Sequence, residues 1–262
     1  MYWRVVDTEA LDAYSNMAID EAVAVAVRTA KAPPTLRFYL WKSFSVSIGQ
    51  FQRLEEIDTL FCRKENIPVV RRPTGGRAIL HGTDLTYSFS APNIPPFFSE
   101  GLLSTYSHLS RAFYFAFRSL GFDVKISSRR ERGRVLTGSP LCFQSVSYGE
   151  ITISGRKVMG SAQKRWKEGF LQQGSIMLTV EGALMRSVFR QTEKDNIAQT
   201  MIGLSNVNPS VDLEDLKKAI VNAFQEVFGV SFIRDSLSRY EEDLAERLRT
   251  EKYLSPEWTE KR

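Results

Sequence analysis

The stretch Arg71-Arg-Pro-Thr-Gly-Gly-Arg77 places three guanidiniums around a pair of glycines. Paired glycines let a main chain approach a ligand where any Cβ would collide. Backbone amides at such a turn can hold a carbonyl or phosphate oxygen, and Arg71, Arg72 and Arg77 could bind an anion. The same spacing also suits a plain Gly-Gly hairpin with surface arginines. A second stretch, Gly155-Arg-Lys-Val-Met-Gly-Ser-Ala-Gln163, reads as a strand whose small residues Gly160, Ser161 and Ala162 are expected to leave a groove along its surface. A linear aliphatic chain suits that groove, since burying seven methylenes at about 0.8 kcal/mol each gives roughly 5–6 kcal/mol before binding costs. Strand alternation puts Lys157 on one face with Met159 and Ser161, where its ammonium can meet an acyl carbonyl at the groove's end. The alternative is a lysine lying along a sheet edge with its head in water.

Cys142 stands in the irregular segment Pro-Leu-Cys-Phe just upstream of that strand. A thiolate near Lys157 is favoured electrostatically, which opens the way to a covalent thioester. A lone cysteine among apolar residues can equally be core filler. His81 suits either an acid–base role or a structural hydrogen bond, while His108, on an apolar helix, packs or caps. With two histidines and no Cys-x-x-Cys pair between Cys62 and Cys142, a metal site or a disulfide framework is not expected.

The elements that must carry these residues follow from periodicity. Apolar side chains on helical spacing predict helices over residues 14–30, 54–66 and 102–120, and again over 211–228 and 237–250 near the end. Cys62 falls on the second of these, where a buried thiol is the ordinary expectation. Residues 36–41 and 45–48 look like paired strands, and 69–72 and 78–80 like strands with the Gly-Gly turn between them. Residues 84–90 read as another strand. Residues 150–154 and 157–163 form a predicted hairpin around Gly155-Arg156, with 169–180 as a third strand in one continuous sheet. The chain reads as a single domain over 1–262, with a core of about 1–182 that holds the candidate site and a helical extension of about 183–262.

At 262 residues the chain can bury a sizeable core. No apolar run reaches the length of a membrane span and the N-terminus has no signal-peptide apolar segment, so a cytoplasmic location is expected with no membrane partner. A net charge of +5 favours acidic partners. The basic cluster at 127–134 lacks the interleaved aromatics of a single-strand binder, so nucleic acid is not an expected partner.

Together these segments resemble the lipoate-protein ligase and octanoyltransferase family, relatives of the biotin protein ligases. The resemblance rests on Arg71-Arg-Pro-Thr-Gly-Gly-Arg-Ala-Ile-Leu-His81, Asp84-Leu-Thr-Tyr-Ser88 and Gly155–Gln163, and extends to Asn16-Met-Ala-Ile-Asp-Glu-Ala22, Leu36-Arg-Phe-Tyr39 and Ser47-Ile-Gly-Gln-Phe-Gln52. It implies an α+β fold of mixed sheets packed with helices. Cys142, followed closely by the lysine strand, looks like the cysteine-dependent octanoyltransferase branch. There the matching cysteine takes an octanoyl group from acyl carrier protein and passes it to a lysine of a lipoyl domain, such as glycine cleavage H protein or a 2-oxoacid dehydrogenase E2. By that resemblance Cys142 is the nucleophile and Lys157 contacts the acyl carbonyl. Arg72, Thr74, Gly75, Gly76, Arg77, Ala78, His81, Gly160, Ser161 and Ala162 match the acyl-pocket lining. No cofactor is implied. An ATP-dependent ligase using the same pocket, or a non-catalytic binder of acylated carriers, are the other readings. Gly82 after the histidine, and Gln173 where relatives commonly have histidine before Gly174, depart from the family pattern.

Overall fold

The computed structural model describes residues 2–127, 149–190 and 197–261. Its larger sheet has eight strands in the order β11-β1-β2-β6-β10-β9-β8-β7. These are β1 (Tyr2–Asp7), β2 (Thr35–Tyr39), β6 (Asp84–Pro92), β7 (Val124–Ile126), β8 (Ile151–Ile153), β9 (Arg156–Arg165), β10 (Gly169–Met177) and β11 (Ser231–Arg234). A smaller sheet has β3 (Ser45–Ile48) between β4 (Val69–Arg71) and β5 (Ile79–His81). The fold is α+β, as expected.

Strand β6 shows how the layers are divided. Leu85, Tyr87, Phe89 and Ala91 alternate with Thr86, Ser88 and Ser90, so one face is apolar and the other polar. The apolar face enters the main core with Leu109, Phe113 and Phe117 of helix α3 (Leu102–Ser119) and Leu216, Ile220 and Phe224 of helix α7 (Leu213–Phe228). Both helices repeat their apolar residues every three or four positions, which turns one stripe to the sheet. The polar face is buried too, against helix α1 (Ala13–Arg28), where Ser88 donates to Asp20 at 2.6 Å. A strand buried on both faces yet polar on one marks where the fold spends hydrogen bonds rather than apolar area.

Helix α1 begins one residue after Asp12, whose carboxylate accepts from the amides of Tyr14 and Ser15. Asp20 lies mid-helix and is fully buried. Beyond residue 182 the chain supplies β11, parallel to β1, and α7, packed on α3. Helix α8 (Arg239–Leu248), capped by Ser238 and Glu241, covers the outer side of α1. No helix among the described residues is long and apolar enough to cross a membrane.

Two pairings differ from expectation. Strands β2 and β3 are not partners: β2 lies between β1 and β6, and β3 belongs to the other sheet. The intervening segment does not turn back. Instead the Lys42 amide donates to the Leu11 carbonyl at 2.9 Å and carries the chain across to the second sheet. Strands β4 and β5 likewise do not pair with each other, because β3 separates them, parallel to β4 and antiparallel to β5. The hairpin over 150–163 forms as expected, but its turn is Ser154-Gly155, both at positive φ, and Arg156 already belongs to β9.

Candidate active site

The segment 72–78 is a loop passing over the end of β3, and its shape is set by side chains. Arg71 is fully buried and directs its donors at carbonyls: Nη1 to Gly49, Gln50 and Gln52, at 2.9, 3.2 and 2.7 Å, and Nε and Nη2 to Thr259, with Nε also reaching Trp258. Trp258 returns the contact, its indole Nε1 donating to the Arg71 carbonyl at 2.8 Å. Arg72 does the same inside the loop, with Nη2 on the carbonyls of Gly75 and Arg77 at 2.6 and 2.7 Å and Nη1 on the Ser47 carbonyl at 3.0 Å. These guanidiniums are pinned to the main chain, a geometry unlike an open phosphate clamp. The glycines serve close approach: a Cβ on Gly49 would lie 1.8 Å from the Gly76 carbonyl oxygen, and Gly76 has φ +83°.

Thr74 links the loop to the layer beneath. Its hydroxyl donates to Gln173 Oε1 at 2.8 Å, and Gln173 Nε2 donates to Asp20 at 2.7 Å. Asp20 also accepts from Arg37 Nη1 and Tyr39 Oη, each at 2.7 Å. This buried aspartate, with arginine, tyrosine, serine and glutamine around it, is a saturated acceptor, the condition under which a buried charge is tolerated. The amide at position 173 thus connects helix α1 to the glycine loop.

His81 ends β5 between two partners, with Nδ1 2.8 Å from Asp84 and Nε2 2.8 Å from the Ser47 hydroxyl. Trp41 stacks on its ring at a centroid distance of 4.0 Å. Burial alone would push the Asp84 carboxyl up, but His81, Ser175 and Thr86 together hold it below its ordinary value. Gly82, at φ +130°, turns its amide back to Asp84 at 3.1 Å, so the histidine takes its carboxylate from position 84.

Between these groups lies a cavity of about 20 Å³, lined by Arg72, His81, Ser161 and Ala162 together with Met17, Trp41, Ile79 and Gly174. It has room for roughly one water. Ser161 Oγ lies 2.8 Å from the Tyr87 hydroxyl on the apolar face of the sheet, and the groove expected beside Gly160, Ser161 and Ala162 amounts to this small cavity. A Cβ on Gly174 would strike the Tyr87 ring at 2.2 Å.

Lys157 is fully buried on β9, and its ammonium donates to the Glu150 carboxylate next to β8. Cys142 lies outside the described residues. The other cysteine, Cys62, sits in helix α2 (Thr59–Lys64), and burial, with the Asp58 carboxylate nearby, pushes its thiol up to about 11.

Residues 12–225 match the model of the lipoyl protein ligase A/B catalytic domain. The chain is 38% identical over 270 residues to an octanoyltransferase LipM of Moorella thermoacetica, covering 99% of this chain and 98% of that protein. It is 36% identical to the octanoyltransferase LipM of Carboxydothermus hydrogenoformans, covering 98% and 97%. The chain belongs to the lipoyl protein ligase A/B catalytic-domain family. Solved structures share the fold: a lipoate-protein ligase A bound with ATP superposes with a TM-score of 0.84 at 24% identity, covering 99% of both chains. A bi-partite lipoate protein ligase from Thermoplasma acidophilum gives 0.82 at 23%, covering 99% of this chain and 96% of that one.

Within this lipoyl protein ligase fold the two segments singled out by sequence do converge. Arg72 and His81 from the first, and Ser161 and Ala162 from the second, share one cavity. Thr74 reaches it through Gln173, while Gly75, Gly76, Arg77 and Ala78 complete the loop, and Gly160 pairs with Ser175 one residue further along. Sequence reading missed Met17, Trp41, Ser47 and Gln173 as members. The signal was present in the polar alternation of β6 and in Asn16 and Asp20 on a helix face otherwise apolar, since buried polar positions demand partners.

Proposed function

We infer that the chain is an octanoyltransferase that takes octanoyl from acyl carrier protein onto Cys142 and passes it to a lysine of a lipoyl domain, in the cytoplasm. The observation that carries this reading is identity of 38% over essentially the full length to an octanoyltransferase. In the first step the Cys142 thiolate attacks the carrier thioester carbonyl, and the carrier thiol leaves. In the second the acceptor amine attacks the enzyme thioester, an amide forms, and the cysteine thiolate is released. Lys157, held by Glu150, and amides of the Gly75-Gly76 loop stabilise the oxyanion of both steps.

The acyl chain occupies the cavity between the glycine loop and β9. The walls part to admit it, with Met17 as the most adaptable side chain there. Residues 1–262 act as a single domain, the segment after 182 bracing the core. The engagement of Arg71 and Arg72 with carbonyls favours acyl transfer over an adenylating ligase, which needs a cation for its phosphate.

Intact mass after mixing with octanoyl carrier protein, without ATP, is expected to reveal one octanoyl adduct, absent in Cys142→Ser. Cys62 does not compete, because its raised thiol is almost wholly protonated near neutral pH. Transfer that strictly needs ATP, or an adduct that survives Cys142→Ser, overturns the reading.

A further inference from the structure

The cavity between the glycine loop and β9 has room for roughly one water, so an eight-carbon acyl chain enters only when a wall moves. Strands β9 and β10 are fixed within the eight-stranded ladder, and helix α1 is pinned by the bonds to its buried Asp20. The remaining wall is loop 72–78 with the three-stranded sheet that carries it, and side chains tie it at both ends. At one end Thr74 donates to Gln173. At the other, Arg71 meets the far end of the chain: its Nε and Nη2 donate to the Thr259 carbonyl at 3.1 and 2.8 Å, and the Trp258 indole donates back to the Arg71 carbonyl at 2.8 Å.

The segment that ends in Trp258 and Thr259 is anchored on helix α1. Tyr253 is fully buried and donates its hydroxyl to Glu21, which Lys252 also holds at 2.7 and 2.8 Å. Arg249 adds a bond to the Ser15 hydroxyl at 3.0 Å, and the rings of Tyr253 and Trp258 meet edge to face with centroids 6.2 Å apart. Residues 249–259 thus form a strap from helix α1 to the start of the glycine loop. Glu21 follows Asp20, and Asp20 is joined through Gln173 to Thr74, so strap and network close a circuit through Arg71 and Thr74. Beside the strap is open space: Tyr253, Pro256 and Thr259 line a cleft of about 320 Å³ together with Cys62, Ile67 and Val69 of β4. Strand β4 has free volume next to it, and the strap's bonds to Arg71 limit how far the loop can use it. How far a wall yields decides length selection, since in an unyielding apolar pocket one methylene too many changes rates roughly tenfold or more.

We propose that Trp258 is a positioning residue that sets acyl chain length, by limiting through Arg71 how far the glycine loop moves when the acyl chain enters. The inference rests on the acyl-transfer reading and on this cavity as the acyl site. Trp258→Phe removes the indole N–H and keeps a ring beside Tyr253, while Tyr253→Phe removes the bond to Glu21 at the strap's other end. Octanoyl and decanoyl carrier protein are offered separately, and the rates of adduct formation are read by intact mass. The decanoyl-to-octanoyl ratio is expected to rise about fivefold or more in Trp258→Phe, and by less in Tyr253→Phe, since Lys252 still holds Glu21. A strap that only stabilises the fold would slow both acyl groups alike. An unchanged ratio in Trp258→Phe, with or without a lowered thermal midpoint, therefore overturns the proposal, as does a ratio that falls. Wild-type protein that forms no adduct overturns the acyl-transfer reading instead, and the ratio of calorimetric Kd values for octanoate and decanoate then tests the strap in the same way.

Discussion

Loop 72–78 and strand β9 wall the same cavity, but the loop owes its shape to side chains and the strand owes its shape to the ladder. The loop is held by guanidiniums on carbonyls and by the Thr74 hydroxyl on Gln173. Residues 159–162 are held by pairing with β10, from Met159 against Ile176 to Ala162 against Gln173. Ladder bonds do not depend on which side chain is present, so β9 is free to choose side chains for chemistry, and it presents Lys157 and a run of small residues. The loop has no such freedom, since its arginines are occupied in building it. Two regions of comparable functional weight should therefore fail differently when altered.

Lys157→Met is the strongest way to separate the two. Removing the ammonium should lower acyl transfer by about 10²-fold or more, read as product formation by intact mass. It also removes the ammonium that the Glu150 carboxylate meets, costing on the order of 3 kcal/mol in denaturant unfolding. Adding Glu150→Gln should recover much of that stability and none of the activity. Recovery of activity in the double variant would mean that the lysine only balances the glutamate. Arg71→Met comes next. Several buried carbonyls lose their donor at once, and a loss of about 3 kcal/mol or more is expected in urea unfolding, with activity falling because the loop no longer holds its path. A stability near that of wild type would show that the loop holds itself and would remove the contrast. The smallest effect is expected for Thr74→Val, which leaves Gln173 Oε1 without its donor at a cost of about 1–3 kcal/mol. Its kcat should fall more than its stability requires if Gln173 sets the loop's position, and not at all if the bond is only structural.

Much of the site was legible because its chemistry is local. The Gly-Gly pair announces close approach wherever it is folded, and the small residues after Lys157 announce a strand that something packs against. What packs there was not legible: the Tyr87 hydroxyl that meets Ser161 comes from 74 positions earlier in the chain. The role of Arg71 was hidden for the same reason, since its acceptors lie at residues 49–52 and at 258–259, remote in sequence. Strand pairing showed a similar limit. The periods of β2, β3, β4 and β5 identify strands, but period alone does not name a partner, and proximity in sequence suggested hairpins where the chain crosses between sheets.

By itself the sequence determined the elements of both walls and the residue types that stand on them, because periodicity and backbone permissiveness act within a few residues, and its family resemblance implied the α+β class. Tertiary structure alone decided that Arg71 and Arg72 bind main chain, that Gln173 joins Asp20 to Thr74, and that Lys157 faces Glu150 in the interior. Those outcomes depend on which polar groups are left to satisfy one another once water has been excluded, and that is settled only when distant segments meet.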